Sequence, residues 1–203
     1  MNLRQLQSTL IIGIFSLNGF AQQLSHAETV KAFQDSLNAI QKDSLTTQLL
    51  PEERASFEGL DFFPISEEFI VKAQLELDPD PHTFKLTYSN EPNVPVFISY
   101  GTLSFNLKGK EYHLHVYQKE EWVNDADHKS VLFLPFKDWT NGPQSYGGGR
   151  FMHLNLPERG DSITIDFNLS FNPPCAYNYY MACPLIPESN QIETEILAGI
   201  MTY

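Results

Sequence analysis

Residues 70–77 read IVKAQLEL, and this short stretch decides the fold class. Apolar side chains occupy every second position from Val71 to Leu77, and polar or charged side chains stand between them. A period of two places the two kinds of side chain on opposite faces of a β-strand. The sequence DPDP follows at 78–81, and its prolines cannot continue a strand ladder. We therefore predict a strand with one buried face that ends near Leu77.

The same alternation returns along the chain at a spacing of about ten residues, which is typical of antiparallel all-β domains. It is cleanest over 162–171, SITIDFNLSF, where we predict one continuous strand. Towards the N-terminus, apolar residues at helical spacing predict an amphipathic helix within 25–48, and Pro51 suits the start of a short second helix. We expect an all-β fold, a mainly antiparallel β-barrel or β-sandwich, with one or two N-terminal helices.

The first residues resemble an export signal. Arg4 precedes an apolar run from Thr9 to Phe20, and Ala21 follows the run. A basic residue, an apolar core of about twelve residues and a small residue at its end are typical of a secretory signal peptide. We predict a signal peptide over 1–21, a helical segment over 22–60, a β domain over 61–203, and a periplasmic or secreted protein.

Charge excludes two classes of partner. The 203 residues include 13 basic and 25 acidic side chains, a formal net charge of -12. Nucleic-acid binding and attachment to anionic lipid both need a basic surface, so we expect neither. An apolar run shorter than the roughly 20 residues of a membrane-spanning helix also predicts no stable membrane insertion after signal cleavage. The sequence leaves the oligomeric state open.

Two cysteines, Cys175 and Cys183, stand close together near the end of the chain. In an exported protein an even count favours a disulfide, and seven intervening residues allow one. The bond would staple a loop. A redox-active pair remains the alternative, while a metal site lacks further ligands.

The segment SYGGGR at 145–150 admits two interpretations. Three glycines permit a tight turn into the strand that follows. Alternatively, Gly148 and Gly149 let Arg150 enter a pocket and bind an anion, because a guanidinium is a planar donor to carboxylate or phosphate.

Two polar residues of the predicted 162–171 strand, Asp166 and Asn168, should share one face. On an outer surface they would only be solvated. At a barrel mouth, Asp166 could act as a base or as the charge partner of Arg150, and a purely structural pair of these two residues would fit as well. The rigid sequence NPPC at 172–175 leaves the strand and could cap a pocket.

These segments give our candidate site. The expected ligand-binding residues are Tyr146, Arg150, Asp166, Asn168 and Asn172. Asp166 and Arg150 are also the candidates for any catalysis. His113 and His115 lie two residues apart on one predicted strand, but two ligands do not make a metal site, so we predict no metal and no cofactor.

Three segments resemble the bacterial and archaeal family of domain of unknown function 1684. They are FKDWTNGPQSYGGGRF at 136–151, IDFNLSFNPPCAY at 165–177 and CPLIPESNQI at 183–192. The resemblance covers roughly 52–199, and the chain is identified as an exported short form. It implies no activity, because none is established for the family.

The sequence thus predicts a small acidic ligand held by the Gly-Gly-Gly-Arg, Asp-Phe-Asn and Asn-Pro-Pro-Cys motifs. A hydrolase or lyase that uses Asp166 and Arg150 is one alternative. A structural or interaction protein of the cell envelope is another, and it would show an exposed apolar patch in place of a pocket.

Overall fold

The computed structural model describes residues 24–86 and 95–203. The predicted signal peptide at 1–21 lies outside these residues. One α-helix, α1 (His26–Lys42), precedes the strands. The strands are β1 (Ile70–Leu77), β2 (Thr83–Lys85), β3 (Val96–Leu107), β4 (Lys110–Lys119), β5 (Val131–Asp138), β6 (Arg150–Asn155), β7 (Ser162–Asp166) and β8 (Gln191–Ile192).

The strands form one curled half-barrel sheet, which confirms the mainly antiparallel all-β prediction. Its order is β6-β5-β4-β3-β1-β7, with β2 paired to β3 and β8 paired to β5. Only the β5–β8 pairing is parallel among the described strands. A bridge between Phe151 and Phe171 links the segment after β7 back to β6, so the two ends of the sheet approach each other.

The inner face of the sheet carries the main core. The alternation predicted for 70–77 is present, because Val71, Ala73 and Leu75 are buried while the residues between them are exposed. Equivalent positions on every long strand join them, among them Leu103, Leu114, Leu134, Met152 and Ile165. Burial of this apolar surface provides the main driving force for folding.

The other face of the sheet differs along its length. Towards one end it carries His113 and His115, which are exposed and bond to hydroxyls of β3. Towards the other end it carries a cluster of aromatic rings: Phe97, Tyr117, Phe133 and Phe151. An aromatic surface of this kind needs a cover, and α1 with the segment 171–184 provides it.

Helix α1 begins at a capping box. Ser25 accepts from the Glu28 backbone N–H, and the Glu28 carboxylate accepts from the Ser25 backbone N–H. Farther along, Asn38 accepts from the backbone N–H of Leu60 at 2.8 Å, which fastens the helix to the chain that leads into the sheet. The predicted second helix is reduced to a 3-10 turn at Arg54–Ser56.

The strand predicted over 162–171 ends early, at Asp166. Its carboxylate accepts from the backbone N–H of Asn168 at 3.0 Å and so caps a 3-10 turn at Phe167–Leu169. Side chains of Asp and Asn compete with the ladder in this way because they bond to nearby backbone groups. The alternation was real for the first half of the segment only.

Candidate functional site

Arg150 lies at the centre of a buried hydrogen-bond network. Its Nη1 donates to the carbonyl of Ala198 at 2.6 Å and to that of Ile200 at 3.3 Å. Its Nη2 donates to Asp138 Oδ2 at 2.7 Å and to the carbonyl of Ile196 at 2.9 Å. The side chains of Arg150 and Asp138 are both 0% exposed. These contacts tie the C-terminal segment to the hairpin of β5 and β6.

The pairing of Arg150 with Asp138 replaces the pairing with Asp166 considered above. Burial lowers the pKa of Arg150, and the Asp138 carboxylate opposes that shift. Gly149 is needed here for a close approach, because its φ is +96° and a Cβ would lie 2.8 Å from the carbonyl oxygen of Phe136. The glycine segment therefore directs Arg150 inwards, to the end of the chain.

Asp166 and Asn168 form a second network, separate from the first. Asn168 Nδ2 donates to Asp166 Oδ1 at 2.7 Å. The same amide exchanges two hydrogen bonds with the backbone of Ser66, at 2.8 and 2.9 Å. The other carboxylate oxygen of Asp166 lies 2.7 Å from His26 Nε2 at the start of α1. These residues hold the helix and the 60s segment against the sheet.

The predicted disulfide is present and closes the loop 175–183. Cys175 and Cys183 are bonded, with a Cα–Cα distance of 6.0 Å. The hydroxyl of Tyr146 lies 3.7 Å from Cys175 Sγ. Tyr146 therefore braces the base of this loop.

A cavity of about 520 Å³ lies between the aromatic face of the sheet, α1 and the disulfide loop. Its floor consists of Phe97, Lys119, Phe133, Phe151 and His153. Helix α1 forms the roof with Phe33, Ser36, Leu37 and Ile40. The side wall includes Phe171, Asn172, Tyr177 and Ala182. The volume lies within the range of roughly 300–1,000 Å³ that is usual for small-molecule sites.

One end of the cavity is basic. Lys119, at the end of β4, is 25% exposed, with its Nζ 4.5 Å from the centre of the Trp122 ring and 3.7 Å from Glu121. His153 borders the cavity beside several rings, with the Trp122 ring centre 5.2 Å away, and its outer edge is exposed. Burial lowers the pKa of His153 to about 4, and Lys119 adds to the shift. The imidazole is therefore neutral at physiological pH.

The other end is polar and uncharged. Asn172 is 3% exposed, and its Nδ2 donates to the carbonyl of Met201 at 2.9 Å. Its Oδ1 is buried and has no hydrogen-bond partner among the described residues. Burial raises the pKa of the neighbouring Tyr177, against a smaller opposing effect of Asn172, so the hydroxyl stays protonated.

Of the five predicted binding residues, Asn172 alone borders this cavity. Arg150 has its donors directed to Asp138 and to backbone carbonyls, while Asp166 and Asn168 bond to each other and to other parts of the fold. The hydrolase or lyase hypothesis needs Asp166 and Arg150 at one reacting centre, and their networks are separate.

Sequence reasoning missed Lys119 and His153. Lys119 opens the charged segment 119–129, KEEWVNDADHK, which lacks apolar periodicity and predicts only an exposed loop. The available signal was Trp122, an aromatic residue that is buried at 9% exposure within that charged run. The roof residues of α1 could not be assigned to a site from sequence, since helix and floor are distant in the chain.

The described residues contain neither a cluster of metal ligands nor a membrane-spanning helix. Within 24–86 and 95–203, no group of three or more His, Cys, Asp or Glu side chains could hold a metal ion. No helix in the same described residues is long and apolar enough to cross a membrane.

Comparison with known proteins places the chain in a family. No curated protein matches it. A solved structure is similar: the solution NMR structure of an uncharacterized protein of Haloarcula marismortui is 36% identical, covers 87% of this chain and 94% of its own, and has a TM-score of 0.69. The model of the family described as protein of unknown function (DUF1684) matches residues 55–201. The chain therefore belongs to the DUF1684 family.

Proposed function

We propose that this protein binds a small, mainly apolar molecule in the cavity between α1 and the sheet. The observation that carries the proposal is the buried and unpaired Oδ1 of Asn172 beside an aromatic cavity. A buried acceptor without a donor costs about 1–3 kcal/mol. Because Oδ1 itself has no accessible surface, a small rotation of the Asn172 side chain would bring it to the cavity, where an N–H or O–H group of a ligand would remove this cost.

The walls support an apolar body for the ligand. Phe97, Phe133 and Phe151 form a floor of rings, and the Phe133–Phe151 pair meets edge to face at 4.8 Å between centroids. Aromatic floors bury large flat areas of a ligand. On the roof, Ile40 is 40% exposed, so α1 leaves apolar surface that a ligand could cover.

The ligand's polar groups would meet the cavity at its two ends. Lys119 lies on β4, whereas Asn172 follows the segment that bridges to β6. Three strand spacings separate them, roughly 14 Å between backbones. A ligand that spans the floor would place one polar group near Lys119 and a hydrogen-bond donor near Asn172.

This proposal retains the small-ligand function predicted from sequence and changes its residues. From the Asn-Pro-Pro-Cys motif, Asn172 and Pro174 border the cavity. The Gly-Gly-Gly-Arg and Asp-Phe-Asn motifs do not line the cavity. They hold in place the C-terminal segment and the start of α1. We leave Tyr146, Arg150, Asp166 and Asn168 out of the proposed contacts.

A block of the cavity tests the proposal. The reporter is N-phenyl-1-naphthylamine, an apolar dye whose fluorescence rises in apolar sites. Ser36→Trp fills the roof, and we expect it to weaken dye binding at least tenfold. Ala27→Trp is the matched control, because nine residues place it on the opposite face of α1, and we expect its affinity to equal that of the wild type. Equal affinities for all three proteins would refute the cavity as the site.

A pair of ligands tests the role of Asn172. 2-Naphthol has an O–H donor, and 2-methoxynaphthalene is similar in shape but has the donor blocked. We expect naphthol to displace the dye roughly tenfold more effectively, because it satisfies Oδ1. Equal displacement would exclude Asn172 as the recognition group.

We also propose that the protein is exported to the periplasm or secreted. The disulfide Cys175–Cys183 supports this location, since such bonds persist in oxidising compartments. Expression of the full chain followed by N-terminal sequencing of the product tests it. We expect the product to start after Ala21, and an intact N-terminus in the cytoplasmic fraction would contradict export.

A further inference from the structure

We infer that the ligand carries a single acid group, which pairs with Lys119 at the basic end of the cavity, and that the ligand class is an apolar carboxylic acid. This inference rests on the proposed function and specifies the ligand. It assigns Lys119 as the residue that selects acids over neutral molecules of the same shape.

The charge distribution of the cavity is the first argument. Among the described residues that border it, Lys119 has the only side chain that is charged at neutral pH. No aspartate or glutamate lines the cavity, although the chain holds 25 acidic residues against 13 basic ones. A single cation at the border of an apolar, partly enclosed volume favours one anion there.

The position of the Lys119 amino group is the second argument. Its stem is partly buried, and the Nζ lies over the Trp122 ring at 4.5 Å, which restricts where the amino group can go. Its one acidic neighbour, Glu121, is 3.7 Å away and 69% exposed. An exposed pair at this distance contributes little free energy. The ammonium therefore keeps donors for a ligand.

The groups around Lys119 come from three further segments. The 3-10 turn at Glu120–Trp122 brings Glu121 and the indole, β6 brings His153, and the loop before β5 brings His128. His153 is neutral at physiological pH because burial lowers its pKa to about 4. A neutral imidazole beside the ammonium can donate a hydrogen bond to a carboxylate and adds no charge that would attract a second one.

Matched competitors test the inference with the dye described above as reporter. Dodecanoate and dodecan-1-ol form an aliphatic pair, and biphenyl-4-carboxylate and biphenyl-4-methanol form an aromatic pair. In the wild-type protein we expect at least one acid to displace the dye about tenfold better than its alcohol, the scale of one charge-assisted hydrogen bond. The pair in which the acid binds better than the alcohol shows whether the apolar part of the ligand is aliphatic or aromatic.

Variants at Lys119 locate the preference. Lys119→Met keeps the length of the stem and removes the charge, and we expect it to abolish the preference for the acid while the alcohol binds within twofold of wild type. Lys119→Arg should keep the preference. Lys129→Met makes the same change in net charge at an exposed position outside the cavity, and it should leave both affinities unchanged.

The outcomes separate this inference from the proposed function. If the dye does not bind the wild type, the proposed function fails. If the dye binds but neither acid is preferred over its alcohol, or if Lys119→Met keeps the preference, the acid inference alone is overturned. The acid inference is supported if Lys129→Met prefers the acid at low salt and loses this preference in 0.5 M NaCl, whereas Lys119→Met shows no preference at any salt concentration.

Discussion

Replacement of Asp138 by asparagine measures how much of the fold's stability depends on the buried ion pair with Arg150. The change keeps the shape of the side chain and removes its charge. Asp138 Oδ2 accepts from Arg150 at 2.7 Å, and its Oδ1 accepts from the backbone N–H of Thr140 at 2.8 Å. The asparagine oxygen can keep one of these bonds, but the guanidinium loses its carboxylate.

The magnitude follows from the burial of the pair. Both side chains are fully buried, and removal of one partner of a buried ion pair costs about 3–5 kcal/mol because the other charge is left uncompensated. Arg150→Met should cost at least as much, since it strands Asp138 and removes donors from the carbonyls of Ile196 and Ala198. Domains are stable by only about 5–15 kcal/mol, so either variant should retain little free energy of unfolding.

The double variant tests whether the stabilities contributed by Asp138 and Arg150 depend on each other. Asp138→Asn with Arg150→Met contains no stranded charge, so it should be no less stable than Arg150→Met alone. Urea denaturation followed by circular dichroism and by tryptophan fluorescence gives the free energies of unfolding of the wild type and the three variants. We expect a coupling energy at least as large as the cost of Asp138→Asn alone, about 3–5 kcal/mol. Additive losses, within about 0.5 kcal/mol, would show that the two side chains do not depend on each other.

Three further predictions concern other parts of the fold. Replacement of both Cys175 and Cys183 by serine should lower the free energy of unfolding by about 2–3 kcal/mol, because the unfolded chain gains entropy; two free thiols in the denatured wild-type protein would contradict this. Gly101→Ala should cost about 1–3 kcal/mol in urea denaturation, since a Cβ there would lie 2.3 Å from the carbonyl oxygen of Glu76, whereas Gly147→Ala meets no atom closer than 3.8 Å and should be nearly neutral. His153 should titrate near pH 4 by NMR. Between that value and about 6.5 the unfolded state binds the extra proton, so this group's contribution to stability rises with pH; a midpoint near 6.5 would mean that the imidazole is solvated.

The strand pattern was readable from sequence because each strand has one buried face. Val71, Ala73 and Leu75 are buried as the alternation at 70–77 predicts. The same rule failed after Asp166, where apolar residues continue to alternate although the backbone turns. A side chain that caps its own backbone leaves no trace in a pattern of hydrophobicity.

The site was less predictable because its parts come from distant segments. The motif residues are chemically distinctive, yet the chemistry of Arg150 and Asn168 serves the fold. The partner of Arg150 is Asp138, on the preceding strand, and the register that pairs Phe136 with Arg150 brings the two together. The sequence around Lys119 contains no motif that indicates a binding site. Lys119 became a candidate only when α1 and the sheet enclosed a volume beside it.

The network of Arg150 also has a consequence for biosynthesis. Three of its acceptors, the carbonyls of Ile196, Ala198 and Ile200, are synthesised 46, 48 and 50 residues after the arginine itself. Until that C-terminal segment is in place, the guanidinium cannot be enclosed without leaving several of its donors unpaired. Whichever compartment the chain folds in, the core around Arg150 should therefore close only once residues up to 200 are available.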